Sequence, residues 1–278
     1  MKHGFLALAP QYTPTRELLA SAARRRGMGV EILPARGGVT GTTAEKDSGH
    51  YYGGPVFAAG VVDELAVALL EPDDGWLAGL PHAYTRRHIS TSTLGEARRL
   101  SGPAFVKPPS DKSFRAAVHD TGGSLPESAE LAPESPVLIS DVVTWAAEFR
   151  LFVLDGEIRT GSQYATYGRS ASQPLDGHHH RDAVLEFADD LLGTCGDSLP
   201  SAVVVDVGLL TTPENGADSD WAVVEANMAW FSDCYAADPD RALDVVLRAA
   251  GPRARITDRD RRFCRERGGT RPSARRAH

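Results

Sequence analysis

The sequence predicts a mixed α/β (α+β) protein: a Rossmann-like N-terminal domain followed by a larger, strand-dominated one. Two observations predict this. Residues 5–33 run strand, helix, strand, and from residue 104 the chain reads mainly as short strands separated by turn signals. At 278 residues, 42% hydrophobic and 24% charged, the chain can bury a sizeable core and has the balance of a soluble globular enzyme. No apolar run approaches the roughly 20 residues a membrane span needs.

Phe5–Ala9 reads as the first strand, closed by Pro10; the run is too short for the apolar core of a signal peptide. Thr13 can cap a helix that has Pro14 at its first position and ends at Gly27. Leu18, Leu19, Ala22 and Ala23 give that helix one apolar stripe, and Val30–Leu33 follows as a strand. No Gly-x-Gly-x-x-Gly fingerprint accompanies this opening, so a dinucleotide is not indicated. Residues 35–60 are Gly-rich and read as irregular, Val61–Leu70 as a helix, and Thr93-Leu-Gly-Glu96 as a capping box. Ala104–Pro108 and Val137–Ser140 read as strands. Glu148–Leu154 and Glu157–Gln163 flank Asp155-Gly156, a two-residue hairpin signal. A helix near Asp182–Leu192 precedes strands Ala202–Leu210 and Trp221–Asn227, joined by a polar loop containing Glu214-Asn215-Gly216. Asp238, Pro239 and Gly251 mark the cap, first turn and end of a last helix. The implied domains are residues 1–95, 96–251 and an Arg-rich tail, 252–278.

That tail holds ten Arg against three acids, net +7, leaving −14 for the rest of a chain whose total is −7. Its composition predicts disorder. Three scattered cysteines without a Cys-x-x-Cys pair predict a reducing, cytoplasmic setting and no zinc site. Only four lysines occur, Lys2, Lys46, Lys107 and Lys112, so positive charge is carried by Arg and a lysine is rarely filler.

The sharpest constellation is Asp206 on one strand with Glu225 and Asn227 on the next. Asp206 alternates with Val203, Val205 and Val207 and points away from their face; Glu225 and Asn227, two apart, share a face. A hairpin unites all three into a hard-oxygen set suited to Mg²⁺. The polar face of an ordinary antiparallel pair is the plain alternative. The apolar run around Asp206 favours the metal, because a buried carboxylate needs a cation or hydrogen bonds. Upstream, Lys107 leaves the end of a strand into Pro108-Pro109-Ser110-Asp111-Lys112-Ser113, a layout suited to polyphosphate, although for the segment taken alone a solvated basic loop is the default reading. It is not a Walker A motif.

Together these segments resemble the ATP-grasp superfamily. Val106-Lys107-Pro108, the loop 109–115, the hinge 138–143, Asp206 and Val224-Glu225-Ala226-Asn227 stand in that family's order. Glu148-Phe-Arg150-Leu-Phe-Val153 and Arg159 resemble its clade of predicted amide ligases named for two arginines and a lysine. The resemblance spans about residues 100–250. It implies an ATP-grasp fold behind a Rossmann-like pre-ATP-grasp domain, with ATP and Mg²⁺ as cofactors. It implies that Lys107, Lys112 and Ser113 grip phosphates and that the hinge of Ile139, Asp141 and Val142 pairs with adenine. Glu148 would bind ribose or order the hinge, Asp206, Glu225 and Asn227 would hold Mg²⁺, and Arg150 and Arg159 would neutralise an acyl phosphate or hold the substrate carboxylate. The family's earlier lysine is absent; Arg86, Arg87 and His88 stand in that region. The implied activity is ATP-dependent amide formation between small-molecule or peptide carboxylates and amines. A phosphotransferase or a non-catalytic nucleotide-binding protein is the alternative. No membrane or nucleic-acid partner is expected, and a homodimer is left open.

Four further features stand apart. His178-His179-His180 reads as a loop before a helix, since three adjacent residues cannot all face one ion. Trp230, Phe231 and Tyr235 fit a substrate pocket or core packing equally. His50-Tyr51-Tyr52-Gly53-Gly54 has the composition of a substrate loop, and Arg169 that of a substrate contact or a surface residue.

Overall fold

The structure, a computed structural model, describes residues 4–35, 49–109, 113–127, 131–211 and 220–265. It begins with β1 (Phe5–Leu8), α1 (Pro14–Arg25), β2 (Gly29–Ile32) and β3 (Gly49–Tyr52), which form a parallel sheet in the order β2-β1-β3. Thr13 caps α1 by accepting from the Arg16 backbone N–H at 3.0 Å, with Pro14 at the first position as expected. β3 replaces part of the expected irregular stretch: Tyr51 and Tyr52 are buried core side chains, so the segment is a strand and not a substrate loop.

Next come α2 (Pro55–Ala59), β4 (Val67–Leu69), α3 (Trp76–Gly79), α4 (His82–Thr85), β5 (Ile89–Thr93) and α5 (Leu94–Ala97). The helix expected over Val61–Leu70 is absent. Helical hydrogen bonds stop at Leu65, Ala66 takes a left-handed φ of 51°, and Val67–Leu69 bury every side chain in a strand. The Thr93–Glu96 capping box is present, closing a single turn.

β6 (Ala104–Lys107), β7 (Ala117–His119), β8 (Pro136–Ser140) and β5 form a four-stranded antiparallel sheet in the order β5-β8-β6-β7. β9 (Thr144–Leu154) and β10 (Glu157–Thr166) follow as a hairpin through Asp155 and Gly156, both at positive φ. β11 (Arg169–Pro174) repeats this device through Tyr167 and Gly168. After α6 (Arg181–Cys195), β12 (Ala202–Thr211) and β13 (Asp220–Asn227) complete a five-stranded antiparallel sheet, β11-β10-β9-β12-β13. The Glu214-Asn215-Gly216 loop lies outside the described residues.

One face of this sheet packs Phe149, Leu151, Val203, Val205 and Val207 against Val184, Ala188 and Leu191 of α6. Its other face carries Phe152, Ala202 and Val204 into a core shared with β1, α1 and α7 (Pro239–Ala249). That core therefore joins chain on both sides of residue 95. Asp238 caps α7 by accepting from the Asp240 and Arg241 backbones. β14 (Ala250–Pro252) pairs with β4, which brings the C-terminal segment back onto the N-terminal third. The expected disordered tail does not hold for residues 252–265. Phe263 and Asp260 are buried, and Asp260 accepts from Ser201 N, Ser201 Oγ and Thr257 Oγ1. Composition hid this because two buried side chains anchor an otherwise cationic stretch. Residues 266–278 lie outside the described residues. Among the described residues no helix is long and apolar enough to cross a membrane.

Candidate active site

Strand register builds the site. Asp206 on β12 lies between Arg150 of β9 and Glu225 of β13, its Cα partners on either side, and Val204 pairs with Asn227. The three expected oxygen ligands thus share one face, opposite the valines that meet α6. Facing them across a cleft, β6 of the four-stranded sheet delivers Lys107, whose Nζ contacts Glu225 Oε2.

The polar groups form one connected chain. Glu225 Oε1 accepts from Asn227 Nδ2 at 2.7 Å, and Asn227 Nδ2 reaches Asp206 Oδ2 at 3.3 Å. Arg150 donates twice to Asp206, Nε to Oδ1 at 2.9 Å and a terminal nitrogen to Oδ2 at 2.7 Å. Asp206 is fully buried and Arg150 nearly so. A bidentate, charge-assisted pair of this kind compensates the burial of both ions. Burial pushes the Asp206 carboxyl above its usual range against the opposing pull of Arg150, and Asp206 in turn holds the guanidinium protonated more firmly. We take the pair as ionised, since both bonds are short and paired. Glu225 goes the other way: burial would raise it, but Lys107 and the Asn227 hydrogen bond hold it down at about 2. The site therefore carries two carboxylates and two fixed cations.

Around this chain lie groups that the sequence reading missed or left open. Tyr164 and Tyr235 stack at 5.2 Å, and Arg150 sits 5.5 and 5.2 Å from their rings. Tyr164 also donates to Glu148 at 2.8 Å, while burial pushes the Glu148 carboxyl above its usual range. Tyr235 adopts a left-handed φ of 50°, an uncommon backbone state for a bulky residue. Trp145 lies over Gly208, where an added Cβ would come within 2.4 Å of its ring. A register shift between Leu209 and Leu210 turns Trp145 onto the site's face. None of these long-range contacts has a local sequence signal; only the Glu148/Arg150 spacing on one strand face was legible.

Several expected residues fall elsewhere. Arg159 does not join the cluster: a register shift between Ile158 and Thr160 accompanies it, and its ion pair is with Asp244 of α7 at 3.6 Å. Ile139 sits inside β8, between β5 and β6, so its backbone is enclosed by the sheet instead of presenting a free edge. Asp141 is also committed, exchanging bonds with the His88 backbone through its N–H and its carboxylate. Val142, beyond the ladder, is exposed. Arg87 is buried and donates to the carbonyls of Thr85, Val223 and Val224 and to Ser140, tying the two sheets together. Lys112 lies outside the described residues, and Ser113 is exposed on the loop beyond. Trp230 is core, with Nε1 donating to Leu70 O. Ahead of α6, His178 stacks on His179 and the His180 ring is tilted against His179. Among the described residues no group of three or more His, Cys, Asp or Glu forms a metal cage.

The cleft bounded by Lys107, Pro108, Pro109, Phe114, Arg115, Glu225 and Asn227 measures about 510 Å³, the size of a small-molecule site. Its donors fit Mg²⁺ carried on a polyphosphate, an ion that takes one or two protein carboxylates and fills its other positions from phosphate and water. Glu225 and Asn227 reach the cleft directly.

Residues 84–245 match the model of a family described as ATP-grasp domain, R2K clade family 2. No curated protein matches the chain. Among solved structures, it is similar to a RimK domain ATP-grasp protein from Sphaerobacter thermophilus, at 15% identity and TM-score 0.49, covering 87% of this chain and 99% of that one. It is also similar to D-alanine–D-alanine ligase from Bacillus anthracis, at 11% identity and TM-score 0.46, covering 88% and 96%. ATP-grasp ligase PsnB, complexed with a minimal precursor, Mg and ADP, is similar at 12% identity and TM-score 0.44, covering 87% and 97%. Because the family match runs through more than half of the 278 residues, the chain belongs to the R2K clade of ATP-grasp domains, family 2.

Proposed function

We propose that the protein is an ATP-dependent carboxylate–amine ligase. The observation that carries this reading is the meeting of Lys107 and Glu225 across the cleft, from different sheets, beside the Arg150–Asp206 pair. Phosphoryl transfer asks a protein for positioning and charge neutralisation more than for covalent chemistry, and these groups supply both. Lys107 neutralises phosphate oxygens. Glu225, Asn227 and Asp206 would hold Mg²⁺, and the ion would supply screening of the phosphate charge. Asp206 would exchange Arg150 for the ion, one cation for another, so its burial stays compensated. Arg150, which sits against the stacked Tyr164 and Tyr235 rings, steadies the phosphoryl group as it leaves ADP for the substrate carboxylate. An amine then forms the new C–N bond, inorganic phosphate leaves, and the amine's proton passes to solvent. Glu148, tied to Tyr164, orders the start of β9 beside the hinge.

An ADP-release screen over amino acids and peptides, followed by mass spectrometry of the product, tests this proposal. A condensed amide with one ADP and one phosphate per bond is expected. A stable phosphate ester as sole product would replace the ligase reading with a phosphotransferase.

A further inference from the structure

A second cleft, of about 560 Å³, opens between the β9–β10 hairpin, α7 and the segment after β14. It lies along β9 from the site: Leu154 in its wall is four residues beyond Arg150, roughly 13 Å at strand spacing. Phe152 and Val204, both fully buried, fill the sheet face between them, so the two clefts are separate.

Its wall presents donors. Arg255 is exposed and has no hydrogen-bond or ion-pair partner among the described residues. Among the described residues Arg159 has only Asp244, at 3.6 Å, and that carboxylate already takes Arg26 at 2.5 Å. Arg248 is held at the rim by Asp155 at 3.1 Å. His50 meets Leu247 O through Nδ1 at 2.8 Å, with its ring against the space that the missing Cβ of Gly251 leaves. Burial holds His50 below its usual range, so it is a neutral hydrogen-bonding group there. The remaining acid, Asp260, is buried and turned to three donors, Ser201 N, Ser201 Oγ and Thr257 Oγ1. Leu154, Leu247 and Ile256 supply an apolar floor.

We propose that this cleft binds a small organic anion through Arg159 and Arg255, its oxyanion groups being carboxylate or phosphate. Two guanidiniums with spare donors beside an apolar floor suit such a ligand, since Arg forks match either oxyanion in paired hydrogen bonds.

The test is calorimetric titration of the full chain with inorganic phosphate and, separately, with citrate, in magnesium-free buffer. Saturable binding of at least one is expected. It should weaken tenfold or more in Arg159→Ala/Arg255→Ala and persist in Lys107→Ala, whose substitution lies in the other cleft. Tighter phosphate binding assigns a phosphate-bearing ligand; tighter citrate binding assigns a polycarboxylate. No saturation with either anion overturns the proposal. So does binding that survives the double substitution, or binding that disappears in Lys107→Ala.

Discussion

At the scale of single residues, the candidate site is a set of charges that compensate one another. Replacing Lys107 with Ala should lower ATP turnover by about 100-fold or more, the scale of losing one preorganised charge donor, with an unchanged far-UV circular dichroism spectrum. Normal turnover in that folded variant would remove Lys107 from the mechanism. Tyr235 makes a finer case. Tyr235→Phe keeps the ring over Arg150 and should keep kcat, whereas Tyr235→Ala should lower kcat with little change in the KM for ATP. Cys234 offers a test of burial. Its thiol is pushed up to about 12 by burial, with Asp233 adding to it. A raised thiol pKa favours the fold below its unfolded value of 9, and that contribution is lost as pH rises from 9 towards 12. Alkylation of Cys234 at pH 8 should therefore require unfolding, while the less buried Cys195 reacts in the native protein.

At the scale of elements, what the sequence discloses follows a clear physical line. Caps and tight turns are local chemistry, so Thr13, the Thr93–Glu96 box, the Asp155-Gly156 hairpin and Asp238 could all be read directly. Alternation placed Asp206, Glu225 and Asn227 on one face, because strand geometry fixes which side chains share it. Tertiary context decided the rest. β3 was hidden by the glycines around two aromatic residues, and the run before β4 has helical composition but breaks at Ala66. Trp145 and Arg159 were re-aimed by register shifts that no residue pattern announces. Gly208 is the element-level test: Gly208→Val would drive Trp145 off the sheet and should cost about 1–3 kcal/mol, measured by urea denaturation. A variant as stable as the native chain would show that Trp145 is not packed there.

At the scale of the whole molecule, the core that binds β1, α1 and α7 also underlies the cleft, since Phe152 and Val204 belong to it and stand two residues from Arg150 and Asp206 on the same strands. The C-terminal segment helps close that core. Phe263→Ala should destabilise the fold by about 3–5 kcal/mol, read from the denaturation midpoint, although it lies far in sequence from every site residue. Two sheets meeting over Lys107 and Glu225 make the cleft a property of the assembled fold and not of either sheet. The decisive measurement is the magnesium dependence of binding to a non-hydrolysable ATP analogue, by calorimetry, in the native chain and in Glu225→Ala/Asn227→Ala. Magnesium should tighten binding at least tenfold in the native protein and have little effect in the variant. An equal magnesium effect in both would place the ion, and with it the catalytic centre, somewhere other than this strand pair.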